Sequence, residues 1–400
     1  MKVSGLDIHK SSIFCSIYNG KKHQKVKEFT TLTSDIVSMG EYLKTDGVKK
    51  IAMESTGIYW IPIWNILESL GFELMLVNPY LIKQMPGRKS DVKDAQWIAE
   101  LLHKRLLRGS LVPGETIREL RTYSRRYIKL KQRHTNLLQS IERTLEICNI
   151  CVSGFLSNIT GKSFLNVVRL VVGGETSAEI LIKKIHGRII NKHGKEIIRA
   201  SLEGFVTEHH RFILEQLLQE YDLIACQIET IEKKMEELVM AHYEKEMQLL
   251  QTIPGISKIA AIIVLAETGA DMKAFASSNK FSGWTGLRPR NDESAGKYKS
   301  TATTKGNKYL RAILAQIAWA AVRTKGSYYK DKFAKLAMRK SRKKALIAIA
   351  RKIGVVIWNV LSKQEAFNPE RFPVYDPIKV KARLNYHQRE VARLTELIEI

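Results

Sequence analysis

Residues 3–8, VSGLDI, and residues 50–53, KIAM, are short apolar runs that predict buried β-strands. Asp7 lies near the end of the first run, and Glu54 directly follows the second. An unpaired charge at the end of a buried strand is energetically costly. We therefore expect these two acids to share a site that compensates their charge.

The sequence around these two runs alternates between strand and helix patterns. Two further strands are predicted at 13–18 and 25–31, with Asn19-Gly20 as a hairpin turn. The rest of the predicted order is a helix at 34–43, the strand at 50–53, a helix at 58–70, a strand at 73–77 and a helix at 92–102. This is the element order of an α/β ribonuclease H-like (RuvC-like) fold, which we predict for residues 1–112. Its first and fourth strands are neighbours, which would bring Asp7 beside Glu54.

A second pair of acids, Asp91 and Asp94, lies three residues apart on the last of these helices. Two carboxylates on one helix face repel each other unless a cation or a basic side chain lies between them. Lys89 and Lys93 could provide such basic pairing. We favour a divalent metal bound by all four acids, and oxygen ligands favour Mg²⁺ or Mn²⁺ over zinc. Hard cations held by carboxylates are a recurring means of cleaving phosphodiesters.

The charge of the chain is strongly positive and unevenly distributed. The formal net charge is +25, and the isoelectric point is near 9.8. Residues 285–352 contain 19 Lys and Arg but only 3 Asp and Glu, so this segment carries +16 of the total. Such a concentration indicates a polyanionic partner, most often a nucleic acid.

Composition also bounds the compartment and the cofactor class. The segment MKVSGLDIHK lacks the apolar run of a secretory leader, and no stretch reaches transmembrane length, so we expect a cytoplasmic protein. Of the four cysteines, only Cys148 and Cys151 have a CxxC spacing, and no second pair completes a zinc site. We expect reduced cysteines that serve packing.

Residues 113–246 are predicted to form a coiled-coil arm of two long antiparallel helices, paired within one chain or between two. The first helix has a loose apolar seam flanked by cations, among them Arg125 and Arg126. The second has a heptad run formed by Leu214, Leu217, Tyr221, Ile224, Ile228, Ile231, Met235 and Leu238. Between them, residues 153–203 are interpreted as a small helical insertion.

A helical domain is predicted for residues 247–365, followed by a C-terminal tail at 366–400. It opens with LLQTIPGISKIAAIIVLAETG, in which a Pro254-Gly255 turn between two helices predicts a helix–hairpin–helix. Backbone N–H groups at such a turn can hold a phosphate, which makes Gly255 a candidate nucleic-acid contact.

A hydroxyl-rich, cationic segment follows between residues 286 and 314. Ser294 is predicted to lie there in a loop before a helix that starts near Asn307, and cations around such a serine would stabilise its attack on phosphorus. Ser300, Thr301, Thr303 and Thr304 are equally plausible hydroxyls by this reasoning alone. The candidate contacts to the phosphate are Arg288, Arg290, Lys297, Lys305, Lys308 and Arg311.

Several motifs in a fixed order together resemble the DEDD-type insertion-sequence transposases, a family that includes bridge-RNA-guided recombinases and pilin-type DNA invertases. The resemblance covers about residues 1–145 and 247–360. The motifs are GLDIHK, AMESTGIYW, KSDVKDAQWIAELL, the IPGI hairpin, F-x-G-W-x-G-L-x-P-R, and ES-x-G-K followed by K-G-N-x-x-L-R.

The resemblance implies a DNA recombinase with a RuvC-like domain and a separate helical transposase domain. The four acidic positions of the family fall on Asp7, Glu54, Asp91 and Asp94, and its nucleophilic serine falls on Ser294. Implied further are a serine–phosphate covalent intermediate, Mg²⁺ on the acids, donor and target DNA, a noncoding guide RNA, and a dimer or tetramer with composite active sites.

Two other interpretations stay open at this point. A metal-only nuclease of the junction-resolvase kind would use water as nucleophile, with Ser294 only binding phosphate. A non-enzymatic protein that bridges RNA or DNA would need neither the acids nor a metal.

Overall fold

The structure is a computed structural model, and it describes residues 1–55, 57–79, 91–290, 292–294, 297–300, 302–371 and 377–398. Only the backbone is described at residues 292–294, 297–300, 371, 377–380, 383 and 398. The chain forms two compact units, Met1–Pro113 and Gly114–Ile400. Two residues of the sequence analysis lie outside the described residues. They are Lys89, a possible basic partner of Asp91 and Asp94, and Thr301, a possible alternative to Ser294. The finer division into arm, transposase domain and tail stays a prediction.

The first unit contains a five-stranded sheet in the order β3-β2-β1-β4-β5. The first three strands are antiparallel neighbours, and β4 and β5 continue the sheet in parallel with β1. Their bounds are β1 Val3–Ile8, β2 Ser12–Tyr18, β3 Lys27–Thr30, β4 Lys50–Glu54 and β5 Glu73–Val77. The predicted adjacency of the first and fourth strands is confirmed, and this order is the one expected for a ribonuclease H-like sheet.

Helices cover both faces of this sheet, because apolar residues of its strands point alternately to one face and to the other. The helices are α1 Thr33–Thr45, α2 Trp60–Ser69 and α3 Asp91–His103. Leu6 and Ile8 of β1 join the core formed with α1 and α2, whereas Val3 joins the smaller core formed with α3. Residues of odd number in β1 therefore face α3, as the two-residue period of a strand requires.

The second unit begins with two long helices that pair antiparallel within one chain. They are α4 Glu115–Ile147 and, after the insertion, α9 Glu208–His242. Their direction follows from cross-contacts, since Arg126 hydrogen-bonds Gln227 whereas His134, further along α4, stacks on Tyr221. Of the two predicted possibilities, pairing within one chain or between two, the structure shows the first.

The seam of α9 differs slightly from the predicted heptad. Leu218 and Val239 are buried, whereas the predicted Leu217 and Leu238 lie only partly buried at its margin. A straight α-helix has about 3.6 residues per turn, so a strict seven-residue repeat drifts around its surface along the run from Leu214 to Leu238. The contact face therefore moves to a neighbouring position at each end.

The segment between the two long helices is itself helical and packs on them. It contains four short helices and two 3₁₀ turns, and Phe164 and Val167 join the same core as the arm helices. The helices are α5 Lys162–Val172, α6 Ala178–Leu181, α7 Gly187–His193 and α8 Lys195–Ala200.

In the residues that the structure describes, the rest of the second unit consists of helices and one small hairpin. Its helices are α10 Glu244–Gln251, α11 Lys258–Thr268, α12 Ser278–Trp284, α13 Lys308–Arg323, α14 Tyr328–Ala337, α15 Arg342–Lys363 and α16 Pro377–Ile398, and its strands are β6 Asp292–Ser294 and β7 Lys297–Ser300. Within the described ranges, only α15 is long and apolar enough to cross a membrane, and 56% of its apolar stretch is buried against the protein. Core helices commonly pass that test, so the evidence for a span is weak.

Candidate active site

Two of the predicted acids meet at the centre of the sheet in the first unit. The last paired residues of β1 and β4 in their shared ladder are Leu6 and Met53, and the next residue along each strand is the acid. Asp7 is 6% exposed, and Glu54 is half-buried. Because strand side chains alternate, Asp7 faces α3, and Glu54 lies on the same face as Ala52, which belongs to the α3 core.

Helix α3 brings the other two acids to this strand end. A glycine at position 5 allows close packing, since a Cβ there would lie only 2.4 Å from the carbonyl oxygen of Ala95. Asp91 and Asp94 both lie in the first turn of α3. The helix dipole favours carboxylates at that end, and it accounts for part of their tolerance as neighbours.

The electrostatics of Asp7 indicate a crowded acidic site. Burial raises the pKa of Asp7 to about 6, while His9 opposes that rise, and the charges of Glu54, Asp94 and Asp91 add to it. Each of the other three predicted acids therefore acts on Asp7. The alternative that basic side chains pair Asp91 and Asp94 stays open, since Lys93 lies beside them on α3.

A residue that sequence reasoning missed, His9, belongs to this cluster. Its Nε2 lies 3.3 Å from Oδ2 of Asp7 and 3.6 Å from Oδ1 of Asp91. Among the described residues this nitrogen makes no directed hydrogen bond, so the 3.3 Å distance is an electrostatic contact only. One ligand atom from each of Asp7, His9 and Asp91 lies within 4.8 Å of the others, a spacing that could hold a metal ion. The signal was present in GLDIHK, where His9 follows Asp7 by two positions.

Ser294 lies in a hairpin, which corrects the predicted loop. It is the last residue of β6, and its backbone is the partner of Lys297 across a two-residue connection. Two backbone hydrogen bonds hold the base of the hairpin. The N–H of Arg290 donates to the carbonyl oxygen of Ala302, and the N–H of Thr304 donates to that of Arg288. The polar residues of this segment do not show the apolar alternation by which strands are recognised, and so the strands were missed.

The predicted cationic contacts occupy two settings. The side chains of Arg288, Arg290, Lys305 and Lys308 are exposed and that of Arg311 is half-buried, while the side chain of Lys297 lies outside the description. Their contact with nucleic acid stays a prediction.

Gly255 has a packing role that the sequence did not indicate. It has a φ of +90°, and a Cβ there would lie 2.6 Å from both the carbonyl oxygen of Ile317 and the amide nitrogen of Ala321. The turn is thus pressed against the backbone of α13. This contact explains the glycine without a phosphate, and the phosphate contact stays a prediction.

Arg125 was predicted to contact nucleic acid, and the structure places it, half-buried, in an ion pair with a buried acid. Its Nε and Nη2 donate to the two carboxylate oxygens of Glu267 at 2.9 and 3.0 Å. Glu267 is fully buried in α11. The available signal was a single acid near the end of an otherwise apolar helix, KIAAIIVLAET. Arg126 is exposed and donates a hydrogen bond to Gln227.

Comparison with known proteins identifies the family of the chain. The model of the DEDD transposases of the IS110 group matches residues 4–150, and the model of the transposase IS116/IS110/IS902 family matches residues 247–334. All of the motifs quoted above lie within these two ranges.

Individual relatives agree with this assignment. The protein y4pF/y4sB of Sinorhizobium fredii is 25% identical over 79% of this chain and 74% of its own length. The transposase for insertion sequence element IS1111A of Coxiella burnetii is 24% identical over 83% of this chain and 83% of its own length. Among solved structures, Thermus thermophilus RuvC in complex with Holliday junction substrate covers 28% of this chain and 99% of its own, with 13% identity and a TM-score of 0.22, a likeness too low to carry an argument. The chain therefore belongs to the DEDD-type insertion-sequence transposases of the IS110 family, enzymes that act on DNA.

Proposed function

We propose that this transposase cuts and rejoins DNA through a covalent bond to Ser294, with Mg²⁺ bound by Asp7, Glu54, Asp91 and Asp94. The observation that carries the proposal is the gathering of these acids around the buried Asp7, whose pKa is raised to about 6. Protein carboxylates are rarely collected in this way unless a cation neutralises them.

The residues present fit a divalent cation. The carboxylate oxygens are the ligands that Mg²⁺ and Mn²⁺ prefer, and the imidazole of His9 adds a nitrogen that Mn²⁺ accepts more readily. When bound, the cation would draw negative charge from the reacting phosphate. Asp7 must be ionised to bind it, so the raised pKa of Asp7 makes binding weaken as the pH falls below about 6.

The proposed step exchanges one phosphodiester bond for another. The hydroxyl oxygen of Ser294 loses its proton and bonds to phosphorus, and the bond from phosphorus to the departing deoxyribose oxygen breaks, with that oxygen taking up a proton. Attack by the hydroxyl of a new strand reverses the step and frees the serine. The number of phosphoester bonds is unchanged, so no ATP is needed.

The guide RNA and the composite active site rest on the family resemblance and on charge. A segment with +16 net charge at 285–352 can hold more than one nucleic-acid strand. The proposal is that a noncoding RNA pairs with donor and target DNA, and that acids of one subunit meet Ser294 of another in a dimer or tetramer. Omitting the RNA from the purified reaction should abolish strand transfer, and undiminished transfer would argue against guidance.

The experiment that tests the nucleophile is denaturing electrophoresis of the protein with labelled DNA. Wild type should give a band that is resistant to denaturation, Ser294→Ala should give none, and Ser300→Ala, in the same hairpin, should keep it. An unchanged adduct from Ser294→Ala would refute the assignment.

A metal-only nuclease is the second candidate, because the acid cluster forms entirely within the first unit. It predicts cut DNA with free ends in Mg²⁺ from the Ser294→Ala variant and no adduct from wild type. A denaturation-resistant adduct that forms with wild type and is lost in Ser294→Ala would exclude it.

A further inference from the structure

Among the described side chains of the second unit, Glu267 is the most deeply buried acid, and it is surrounded by donors. Besides the two bonds from Arg125, its Oε2 accepts a hydrogen bond of 2.6 Å from Nδ2 of Asn307 and lies 3.7 Å from Nε of Arg121. Arg121 also donates to the carbonyl oxygens of Ala266 and Glu267 at 3.0 and 2.8 Å. One carboxylate thus fixes two arginines of the arm helix against α11.

Asn307 connects this buried pair to the end of the serine hairpin. Its Oδ1 accepts bonds from the N–H groups of Tyr309 and Leu310 and so caps α13. Its backbone N–H donates to the carbonyl oxygen of Trp284 at 3.0 Å. Just before it, a Cβ at Gly306 would lie 2.3 Å from the nitrogen of Gly286, so the two chain segments cross in direct backbone contact. The end of the hairpin is therefore held in one position.

Above this support lies an open pocket of about 390 Å³ with a cationic lining. Arg121, Arg125, Lys305 and Lys308 all line it, together with Asn307 and the ring of Tyr309. The guanidinium of Arg125 lies 4.6 Å from the centre of that ring, and Nζ of Lys308 lies 5.1 Å from it. Both cations thus lie close to the same tyrosine ring at one wall.

The charge of the pocket is not balanced by its own support. Glu267 supplies one negative charge against four positive ones, and the residues that line the described pocket include no carboxylate. Buried ion pairs contribute little net stability compared with apolar packing. The arrangement is better suited to holding cations in place for an incoming anion, because pre-positioned charges bind without a further ordering cost.

We infer that this pocket binds one backbone phosphate of a nucleic-acid strand and so sets the register of that strand beside the serine hairpin. The inference rests on the proposed function. Arg and Lys donors around a concave site match a phosphate diester, while Tyr309 offers a ring against which a sugar or base can lie. Glu267 and Asn307 act as positioning residues.

The test replaces single phosphates by neutral methylphosphonate linkages, one at a time, in the DNA strands or in the RNA strand, and measures binding to the full protein. For wild type, one linkage should reduce affinity by about tenfold, the equivalent of one charged hydrogen bond. For Lys308→Gln, and separately Lys305→Gln, that linkage should matter much less, because the phosphate has lost one of its cationic partners. The strand that carries the sensitive linkage identifies the source of the phosphate as DNA or RNA.

Lys183→Gln, which removes one exposed cation from the insertion, is the matched control and should keep the wild-type sensitivity. The salt slope of log affinity should fall by about 1 in each pocket variant. Equal sensitivity of wild type and both pocket variants at every linkage would overturn the inference. That result would leave the proposed function intact, which instead fails if wild type forms no adduct.

Discussion

Gly5 of β1 and Ala95 of α3 are in backbone contact, and this contact sets the position of the acid pair at the start of α3. An ideal Cβ at Gly5 would lie 2.4 Å from the carbonyl oxygen of Ala95 and 2.5 Å from the nitrogen of Ala99. Both neighbours are backbone atoms, which cannot rotate away as a side chain can. The strand and the helix can therefore pack this closely only because the side chain of Gly5 is a single hydrogen atom.

Gly5→Ala should displace α3 from the sheet. We expect it to lower the free energy of unfolding by about 3 kcal/mol and to weaken Mn²⁺ binding, because Asp91 and Asp94 move away from Asp7. Thermal unfolding and titration calorimetry would measure the two effects. Gly187→Ala, where nothing lies within 4 Å of the added carbon, should change neither. Normal metal affinity in Gly5→Ala would show that this packing does not position the acids.

The raised pKa of Asp7 predicts a pH-dependent cost to stability in metal-free protein. Between pH 4 and 6 the folded state binds more protons than the unfolded one, so stability falls as the pH rises through this range. The full cost above pH 6 is about 3 kcal/mol. Asp7→Asn in EDTA should therefore be more stable than wild type at pH 7.5 and equal to it near pH 4.

Thermal unfolding at several pH values checks this, with Glu28→Gln as the control. Glu28 is an exposed acid in β3 of the same unit, and its replacement should leave the pH profile unchanged. Adding Mn²⁺ should raise the stability of wild type and have much less effect on Asp7→Asn. A less stable Asp7→Asn at pH 7.5 without metal would contradict the assigned electrostatics.

His9 is expected to contribute to metal binding. Its Nε2 faces two carboxylates, so His9→Gln should weaken Mn²⁺ binding about tenfold and Mg²⁺ binding less, since imidazole nitrogen suits Mn²⁺ better than Mg²⁺. Paramagnetic titration would measure Mn²⁺ affinity directly. His242→Gln, an exposed histidine at the end of α9, is the matched control. Identical Mn²⁺ affinity in His9→Gln would remove His9 from the site.

Glu267 should be far more important to stability than exposed acids of the arm. Glu267→Ala leaves Arg125 partly buried without its partner and frees Asn307, and we expect a loss of about 3–5 kcal/mol in the free energy of unfolding. Chemical denaturation of the full chain would measure it. Glu220→Ala, which removes the exposed partner of Arg133, should have a much smaller effect. Similar losses in both variants would mean that the network around Glu267 is not cooperative.

The sequence by itself determined the order of strands and helices in the first unit and the position of the acids on them. These features depend on periods of two and 3.6 residues within short segments, and such local patterns are visible without the fold. The adjacency of Asp7 and Glu54 followed because the element order permits few sheet arrangements. Two long helices were indicated by an apolar period of about 3.5 residues, but whether they pair within one chain or between two was not.

Only the tertiary structure decided which side chains share a site beyond those acids. The nitrogen of His9 reaches Asp91 because α3 packs closely on Gly5, and Arg125 reaches Glu267 across 142 positions of sequence. Gly255 was predicted to hold phosphate, and its backbone lies against α13. A local pattern specifies which face of an element is apolar, but it does not specify which distant residue will meet that face, because this depends on how the elements pack in three dimensions.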